Sequence, residues 1–492
     1  MSYSPNEEVV LGAFSTSAPP NGPNFPDNIL QRIIDLTIQG PVVLPPPTHD
    51  PRRVLAQVCR RWRNVVTSTS SYWTFFTFEA LHGQRPGNIL RLAKLLFRRS
   101  GNNILLSIRF QRNVARRLLK FVLRSYSHRL WSLSCFVTKR ELKTFFGAGG
   151  VHFPRLQHID LAVVSNRHGH ITTRRTPAKG SINLYRIRRA PFLRHVVLHI
   201  PNRVHPADLR LLWGRLTHVD LGDTPTRPST FMKIMEQSLF LEYGVFCIHF
   251  TRLGNQQSTT FSTTTVPLLR RLRLRLIHPS RDTRIFRKLR MPSLEELWLE
   301  REEVGQSIRD MSLYKTLLAK LNAPLKHVTF SEHYSPTSTT TWYFPRLNCT
   351  QRLIYQHLDR VLRPAHNLTS LYLCPGVFIH PLVLGRLASG ELLPFLERLA
   401  VSSVSGWDIL WMVRERNLAS TRPESGPSSN STSLVTPVAR PVALNYLDLF
   451  VMMCGLNEDY VQKYKDALDA LLLPCGYLFR YIPIPGQASS TS

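Results

Sequence analysis

Cysteine is scarce in this chain of 492 residues. There are seven, at positions 59, 135, 247, 349, 374, 454 and 475, an odd count with no Cys-x-x-Cys spacing. Neither a disulfide framework nor a zinc module is expected, and the thiols are predicted to be buried and free; no metal or other cofactor is implied. No run approaches about 18 uninterrupted apolar residues, and no basic-then-apolar segment with a cleavage site opens the sequence. The expectation is therefore no membrane span and an intracellular location, cytoplasm or nucleus. Also missing are a phosphate-binding glycine loop, a nucleophile elbow, a His-Glu-x-x-His pair and any Cys/His constellation, so no enzyme activity and no catalytic residue are expected. Asn348, Asn367 and Asn430 sit in glycosylation sequons, which read as chance matches without a secretory signal.

Carboxylates are also in short supply. Asp and Glu number 32 against 63 Lys and Arg, a net charge of +31 at pH 7. Basic stretches run from Arg112 to Lys120, from His170 to Arg189 and from Arg281 to Arg290. An excess of this size attracts polyanions. With the charge spread along the chain and no nucleic-acid module or lysine-rich tail, however, sequence-specific nucleic-acid readout is not indicated. The preferred protein partner is expected to be acidic.

What is present is the composition of an ordered globular chain, 43% hydrophobic and 19% charged. Near the start, Pro26 suits a first helical turn, and Ile29, Leu30, Ile33 and Ile34 recur at helical steps. A second stripe, Val54, Leu55, Val58, Trp62, Val65 and Val66, is predicted to face the first. Arg52, Arg53, Arg60, Arg61 and Arg63 are placed on its solvated side. Between them the proline-rich segment 39–50 must turn, and Asp50-Pro51 reads as an N-cap followed by proline at the first helical position. The order Phe25-Pro26-x-x-Ile29-Leu30, then Val58-Cys59-Arg60-Arg61-Trp62-Arg63, then Trp73 resembles an F-box, in particular the F-box-like proteins abundant in mushroom-forming fungi. It departs from the family at Phe25-Pro26-Asp27-Asn28, where Leu-Pro-x-Glu is usual, and in the insertion near residues 40–50. The resemblance implies a module that docks onto the Skp-type adaptor of a cullin-based ubiquitin ligase through Phe25, Pro26, Ile29, Leu30, Ile33, Val58, Cys59, Trp62 and Trp73.

Further along, a Leu-x-x-Leu-x-Leu core recurs eleven times, beginning at Leu130, Leu156, Leu193, Leu216, Val245, Leu269, Leu294, Leu325, Leu368, Leu396 and Leu444. Several copies follow a proline, as in Phe153-Pro154-Arg155-Leu156, Ala190-Pro191-Phe192-Leu193 and Met291-Pro292-Ser293-Leu294. Each copy predicts one short parallel strand whose leucines point inward and stack on the next repeat. Candidate returning helices are 306–320, 351–362 and 407–417. The pattern resembles irregular leucine-rich repeats. The predicted fold class is therefore α/β: an N-terminal helical F-box-like module followed by a repeat solenoid.

The residues alternating with the leucines would project from the concave face as two columns. One runs His158, His195, His218, Cys247, Arg271, Glu296, His327, Ser370, Arg398 and Tyr446. The other runs Asp160, Val197, Asp220, His249, Arg273, Trp298, Thr329, Tyr372, Ala400 and Asp448. From these columns and Arg275, the candidate partner-binding residues are His195, His218, His249, Arg271, Arg273, Arg275, Trp298 and Tyr372. In-register stacking would pair Arg271 with Glu296 and Arg275 with Glu300, and set Arg273 on the Trp298 ring. A structural ladder and a binding hot spot both remain open there. The histidine column projects nearly parallel side chains and is not read as a metal site.

The predicted organisation is a disordered start at 1–23, an F-box-like domain at 24–78, and a solenoid at 90–480 with a disordered Ser/Thr/Pro-rich insertion at 419–438. A helix at 457–473 caps the last repeat, and a disordered tail occupies 484–492. The function this implies is a substrate receptor of a ubiquitin ligase. The alternative is a non-ligase interaction scaffold with a degenerate F-box, contacting acidic proteins or nucleic acid.

Overall fold

The computed structural model describes residues 25–484 apart from 80–85, 112–115, 148–150, 165–183, 201–210, 251–260, 278–283, 303–314, 316, 320–323, 334–357, 374–378, 404–405, 423–439, 455–457 and 472. The expected disordered start at 1–23, most of the insertion at 419–438, the tail beyond 484 and most of the candidate helix 306–320 lie outside the described residues. The chain divides into two compact units, residues 1–108 and 109–492. No helix among the described residues is long and apolar enough to cross a membrane.

The first unit holds helices α1 (Asp27–Thr37), α2 (Pro51–Val58) and α3 (Arg60–Ser68), a 3-10 turn at Ser70–Trp73 and the helix Pro86–Arg99. Asp50 caps α2 as expected, its carboxylate accepting the Arg52 N–H at 2.8 Å with Pro51 at the first helical position. The proline-rich connection does more than turn. It contains strand β1 (Val42–Leu44), which pairs in parallel with β2 (Phe75–Phe78). Strand β3 spans Leu106–Phe110. The core of this unit is Leu30, Ile34, Leu55, Val66, Tyr72, Trp73, Phe76 and Phe78, with the Phe76 ring edge-on to Phe97 at 4.7 Å.

The second unit is organised by one parallel ladder. Its strands are β4 (Leu130–Thr138), β5 (His158–Val164), β6 (His195–His199), β7 (His218–Thr226), β8 (Tyr243–His249), β10 (Arg271–Ile277), β12 (Glu296–Glu302), β13 (His327–His333), β14 (Ser370–Leu373), β15 (Arg398–Ser403), β16 (Tyr446–Cys454) and β17 (Tyr477–Ile484). Strands β9 (Thr264–Thr265) and β11 (Leu289–Arg290) form a separate pair. All eleven repeat cores fall on this ladder with their apolar residues buried, and ten do so in the frame read from the sequence.

The proline before several cores has a physical role. In Ala190-Pro191-Phe192-Leu193 and Met291-Pro292-Ser293-Leu294 the first carbonyl accepts the leucine N–H, at 3.4 and 3.2 Å. These are four-residue turns with proline at the second position, where its fixed φ fits and its missing N–H removes no bond. The turn delivers the chain to the neighbouring repeat: His195 donates to the Gln157 carbonyl, His218 to Arg194, Arg271 to Glu242 and Glu296 to Arg270.

Several expectations are corrected. The repeat at 245–250 is shifted. Its strand begins at Tyr243, and the three core positions are Leu241, Gly244 and Phe246, four residues before Val245, Ile248 and Phe250; Ile248 still faces inward, paired with Leu276, and Val245 takes the opposite face. Glycine stands where the middle leucine belongs, and a Cβ there would lie 2.7 Å from the Phe246 ring, so the phenylalanine fills the space that a leucine would take. The C-terminal helix, Glu458–Asp469, does not close the ladder, because β17 follows it and pairs with β16. The helix predicted at 407–417 extends over Gly406–Thr421, into the segment expected to be disordered. Cys59 and Cys475 are exposed rather than buried, whereas Cys135 and Cys247 are buried.

Candidate functional site

Two surfaces hold the residues singled out in the sequence, one in each unit. In the first unit the predicted pair of facing stripes is only partly correct. The second stripe breaks at Cys59, whose extended backbone (φ −159°, ψ 174°) separates α2 from α3, and Arg63 Nε donates to the Ala56 carbonyl across the break at 2.8 Å. Residues before and after the break no longer share one helical face. Leu55 and Val66 therefore turn inward, while Val54 and Val58 stay outside, Val58 with 58% of its surface free. On α1, Leu30 and Ile34 are buried and Ile29 is exposed, as is Phe25 just before the helix. Arg61 binds the Asp27 carboxylate and so ties the start of α3 to the start of α1.

That tie sets the helix start that follows Phe25 and Pro26 beside the helix start that follows Val58 and Cys59. Of the nine residues expected at an adaptor interface, Phe25, Pro26, Ile29, Val58 and Cys59 are exposed, and Ile33 and Trp62 are half-buried. Leu30 and Trp73 belong to the core instead. Trp73 Nε1 donates to the Val66 carbonyl at 2.9 Å, and its ring is covered by Arg99 at 5.1 Å and Arg52 at 6.0 Å. Arg52 was placed on the solvated side by its spacing, yet it is buried and donates to the carbonyls of Tyr72, Pro41 and Gly40.

In the second unit, the face of the ladder opposite the leucines carries the two columns nearly as read. His158, His195, His218, Arg271, Glu296, His327, Ser370, Arg398 and Tyr446 are in register. The position assigned to Cys247 belongs to Tyr243, and the one assigned to His249 belongs to Val245. His249 pairs with Ile277 and Cys247 with Arg275, a consequence of the shifted frame in β8.

The first column is an aromatic stack. Trp131, His158, His195, His218 and Tyr243 follow one another with ring centroids 4.4, 4.0, 4.0 and 5.7 Å apart. Trp131 and Tyr243 had no place in the sequence-based columns. The signal for Tyr243 was hidden by the glycine at 244, and Trp131 precedes the paired part of its strand. Burial, reinforced by the neighbouring imidazoles, lowers the His195 pKa to about 4 and lowers His158 as well. His218 is lowered chiefly by burial, against the pull of Glu242. These rings are neutral at pH 7 and stack without mutual repulsion.

A pH dependence follows. The folded-state values lie below the unfolded 6.5, so the unfolded chain binds more protons as pH falls from about 6.5 toward 4, and stability present above 6.5 is lost across that window. Thermal melts from pH 7 to pH 4 should show it. His195→Phe, which keeps a stacking ring without a titrating group, should make the decline shallower.

The second column meets a charged cluster. Arg271 Nε lies 3.2 Å from Glu296, Arg275 Nε lies 3.9 Å from Glu300, and the Arg273 guanidinium sits 4.3 Å above the Trp298 ring. These are the three contacts expected from stacking. Arg273 also donates to Glu300 at 3.1 Å, so the buried carboxylate of Glu300 is shared by two arginines. The register shift in β7 between Leu221 and Pro225 adds a feature no periodicity could show: Asp223 reaches His199 at 2.9 Å and Arg275 at 3.9 Å. The exposed Arg271 pair contributes at most about 1 kcal/mol. The Arg273 group, with a buried carboxylate and a ring contact of about 0.5–1 kcal/mol, holds its geometry more firmly.

The ladder therefore exists as structure, and it still leaves Trp298 39% exposed beside Thr329 and Tyr372. A rigid, half-open tryptophan flanked by arginine is well suited to an interface anchor. Among the described residues, no group of three His, Cys, Asp or Glu side chains is arranged to hold a metal ion. No protein-family model matches this chain, and no curated protein matches it.

Proposed function

We propose that this chain is a non-catalytic substrate receptor: an F-box-like module binds a Skp-type adaptor of a cullin-based ubiquitin ligase, and a leucine-rich-repeat solenoid selects a protein substrate in the cytoplasm or nucleus. The observation that carries the reading is the exposed apolar set on the first unit. Phe25, Ile29 and Val58 stay outside while Leu30, Ile34, Leu55, Val66 and Trp73 complete a core without them. A helical module that leaves such residues uncovered is suited to a partner that buries them. The sheet face of the second unit supplies the other half of the reading, with Trp298, Arg273 and Tyr372 as substrate contacts and the ligase chemistry left to partner subunits.

The test of the substrate end is affinity capture with the full chain, compared with an Arg273→Ala/Trp298→Ala variant. Loss of a captured protein with retention of the adaptor supports the assignment. Identical captures would place the substrate site elsewhere on the ladder. Recovery of neither adaptor nor ligase subunits would favour the alternative, a repeat scaffold with a degenerate F-box.

A further inference from the structure

The positive charge is less evenly spread than the whole-chain balance suggests. Between residues 109 and 200 there are 19 lysines and arginines, 15 of them arginine, against two carboxylates, Glu141 and Asp160. Both carboxylates are engaged. Glu141 accepts the Thr138 N–H at 2.9 Å in a capping box and pairs with Arg116 at 3.3 Å, while Asp160 accepts the Ser134 hydroxyl at 2.8 Å and lies 3.7 Å from His199.

The helix Arg116–Tyr126 concentrates this excess. Its apolar face, Leu118, Leu119, Val122 and Leu123, is buried, and Arg117, Lys120 and Arg124 are exposed. Arg117 and Arg124 are two turns apart, about 10 Å along the axis. The Arg116–Glu141 pair holds the next helix, Lys139–Phe146, beside it, and that helix adds the exposed Arg140 and Lys143. No carboxylate of the described residues pairs with these five side chains.

We infer that these two helices form a binding surface for the phosphate backbone of a nucleic acid, separate from the sheet face proposed for the substrate. Three features select this partner. Cations whose one interspersed acid, Glu141, is already held by Arg116 match a polymer of one sign, and duplex nucleic acid presents one charge per about 1.7 Å. Arginine dominates, and its planar fork suits phosphate oxygens. The apolar face of the first helix is already used in the core, so none is left to enter a lipid surface as a membrane-bound amphipathic helix requires. Arginine and lysine contact to the backbone carries no base readout, so binding is independent of sequence.

The test uses the full chain and fluorescence anisotropy with a labelled RNA of about 24 nucleotides and a DNA duplex of the same sequence, each titrated across a salt series. The triple variant Arg117→Glu/Lys120→Glu/Arg124→Glu should weaken binding by about 10-fold or more and reduce the salt slope by about 3. A control with the same charge change at exposed positions elsewhere, Lys233→Glu/Arg414→Glu/Lys465→Glu, should retain most of the affinity. Preference for the RNA or the duplex identifies which nucleic acid supplies the phosphates. Equal losses in the two variants would overturn the assigned surface. So would absence of binding to both nucleic acids, or the same arginine dependence seen only with phosphatidylserine vesicles or polyglutamate. A circular-dichroism melt of the triple variant that matches the parent secures the comparison.

Discussion

Replacing Arg416 by Met should destabilise the second unit by about 3–5 kcal/mol, the summed cost of leaving several buried carbonyls without their donor. Arg416 is fully buried in the helix Gly406–Thr421 and donates to four backbone carbonyls: Leu387 at 2.6 Å, Leu393 at 2.9 Å, Pro394 at 2.8 Å and Val442 at 2.9 Å. Beside it, Asn417 accepts the Leu444 N–H at 2.9 Å. Together they fasten the turn before β15 to the segment that leads into β16. Burial lowers the Arg416 pKa to about 10, so the guanidinium still carries its charge at neutral pH. Methionine fills much of the same volume but leaves the carbonyls without donors, and an unsatisfied buried acceptor costs about 1–3 kcal/mol. The expected result is a fall of roughly 5 °C in the melting temperature of this unit, read by calorimetry. A fall within the few tenths of a kcal/mol typical of surface sites would contradict the role.

Trp73→Ala should be comparably severe in the first unit, about 3–5 kcal/mol by the usual cost of deleting a buried aromatic side chain. It removes a ring that is 95% buried, the hydrogen bond to Val66 and the surface on which Arg99 and Arg52 rest. In a unit of this size such a loss approaches the total stability. The proposed adaptor binding would then be lost because the module unfolds. Hydrogen exchange or limited proteolysis would distinguish this from a contact effect, with protection lost across residues 27–73. Retained protection would mean that Trp73 contributes little to the core.

Much of the second unit was legible because a parallel ladder imposes a simple rule. Side chains alternate with period two and equivalent positions stack in register, so Leu269-Arg270-Arg271-Leu272 and Leu294-Glu295-Glu296-Leu297 determine their own pairing. The rule failed where one residue changed the local code. Gly244 takes the place of a leucine in the template, and the next apolar match begins at Val245. The strand Tyr477–Ile484 is masked in the sequence by the helix before it, which has the form of a terminal cap. In the first unit, helical spacing carried Val54 and Val58 into a core from which the break at Cys59 excludes them.

Buried arginines were the hardest to anticipate. Arg52 and Arg416 are held by carbonyls from segments distant in sequence, and no local pattern announces such partners. Asp223 belongs to the same class, since its reach across β7 depends on a register shift rather than on periodicity.

The adaptor-binding reading is tested most directly by calorimetric titration of the purified full chain with a Skp-type adaptor. The exposed apolar set predicts measurable binding by the parent chain. It also predicts a weakening of about 30-fold or more for Val58→Asp, the effect of one hot-spot residue of about 2 kcal/mol, with an unchanged melting curve because Val58 lies outside the core. No heat of binding from the parent chain, under conditions where an established F-box protein titrates, would contradict it, as would a Val58→Asp chain that binds as tightly as the parent.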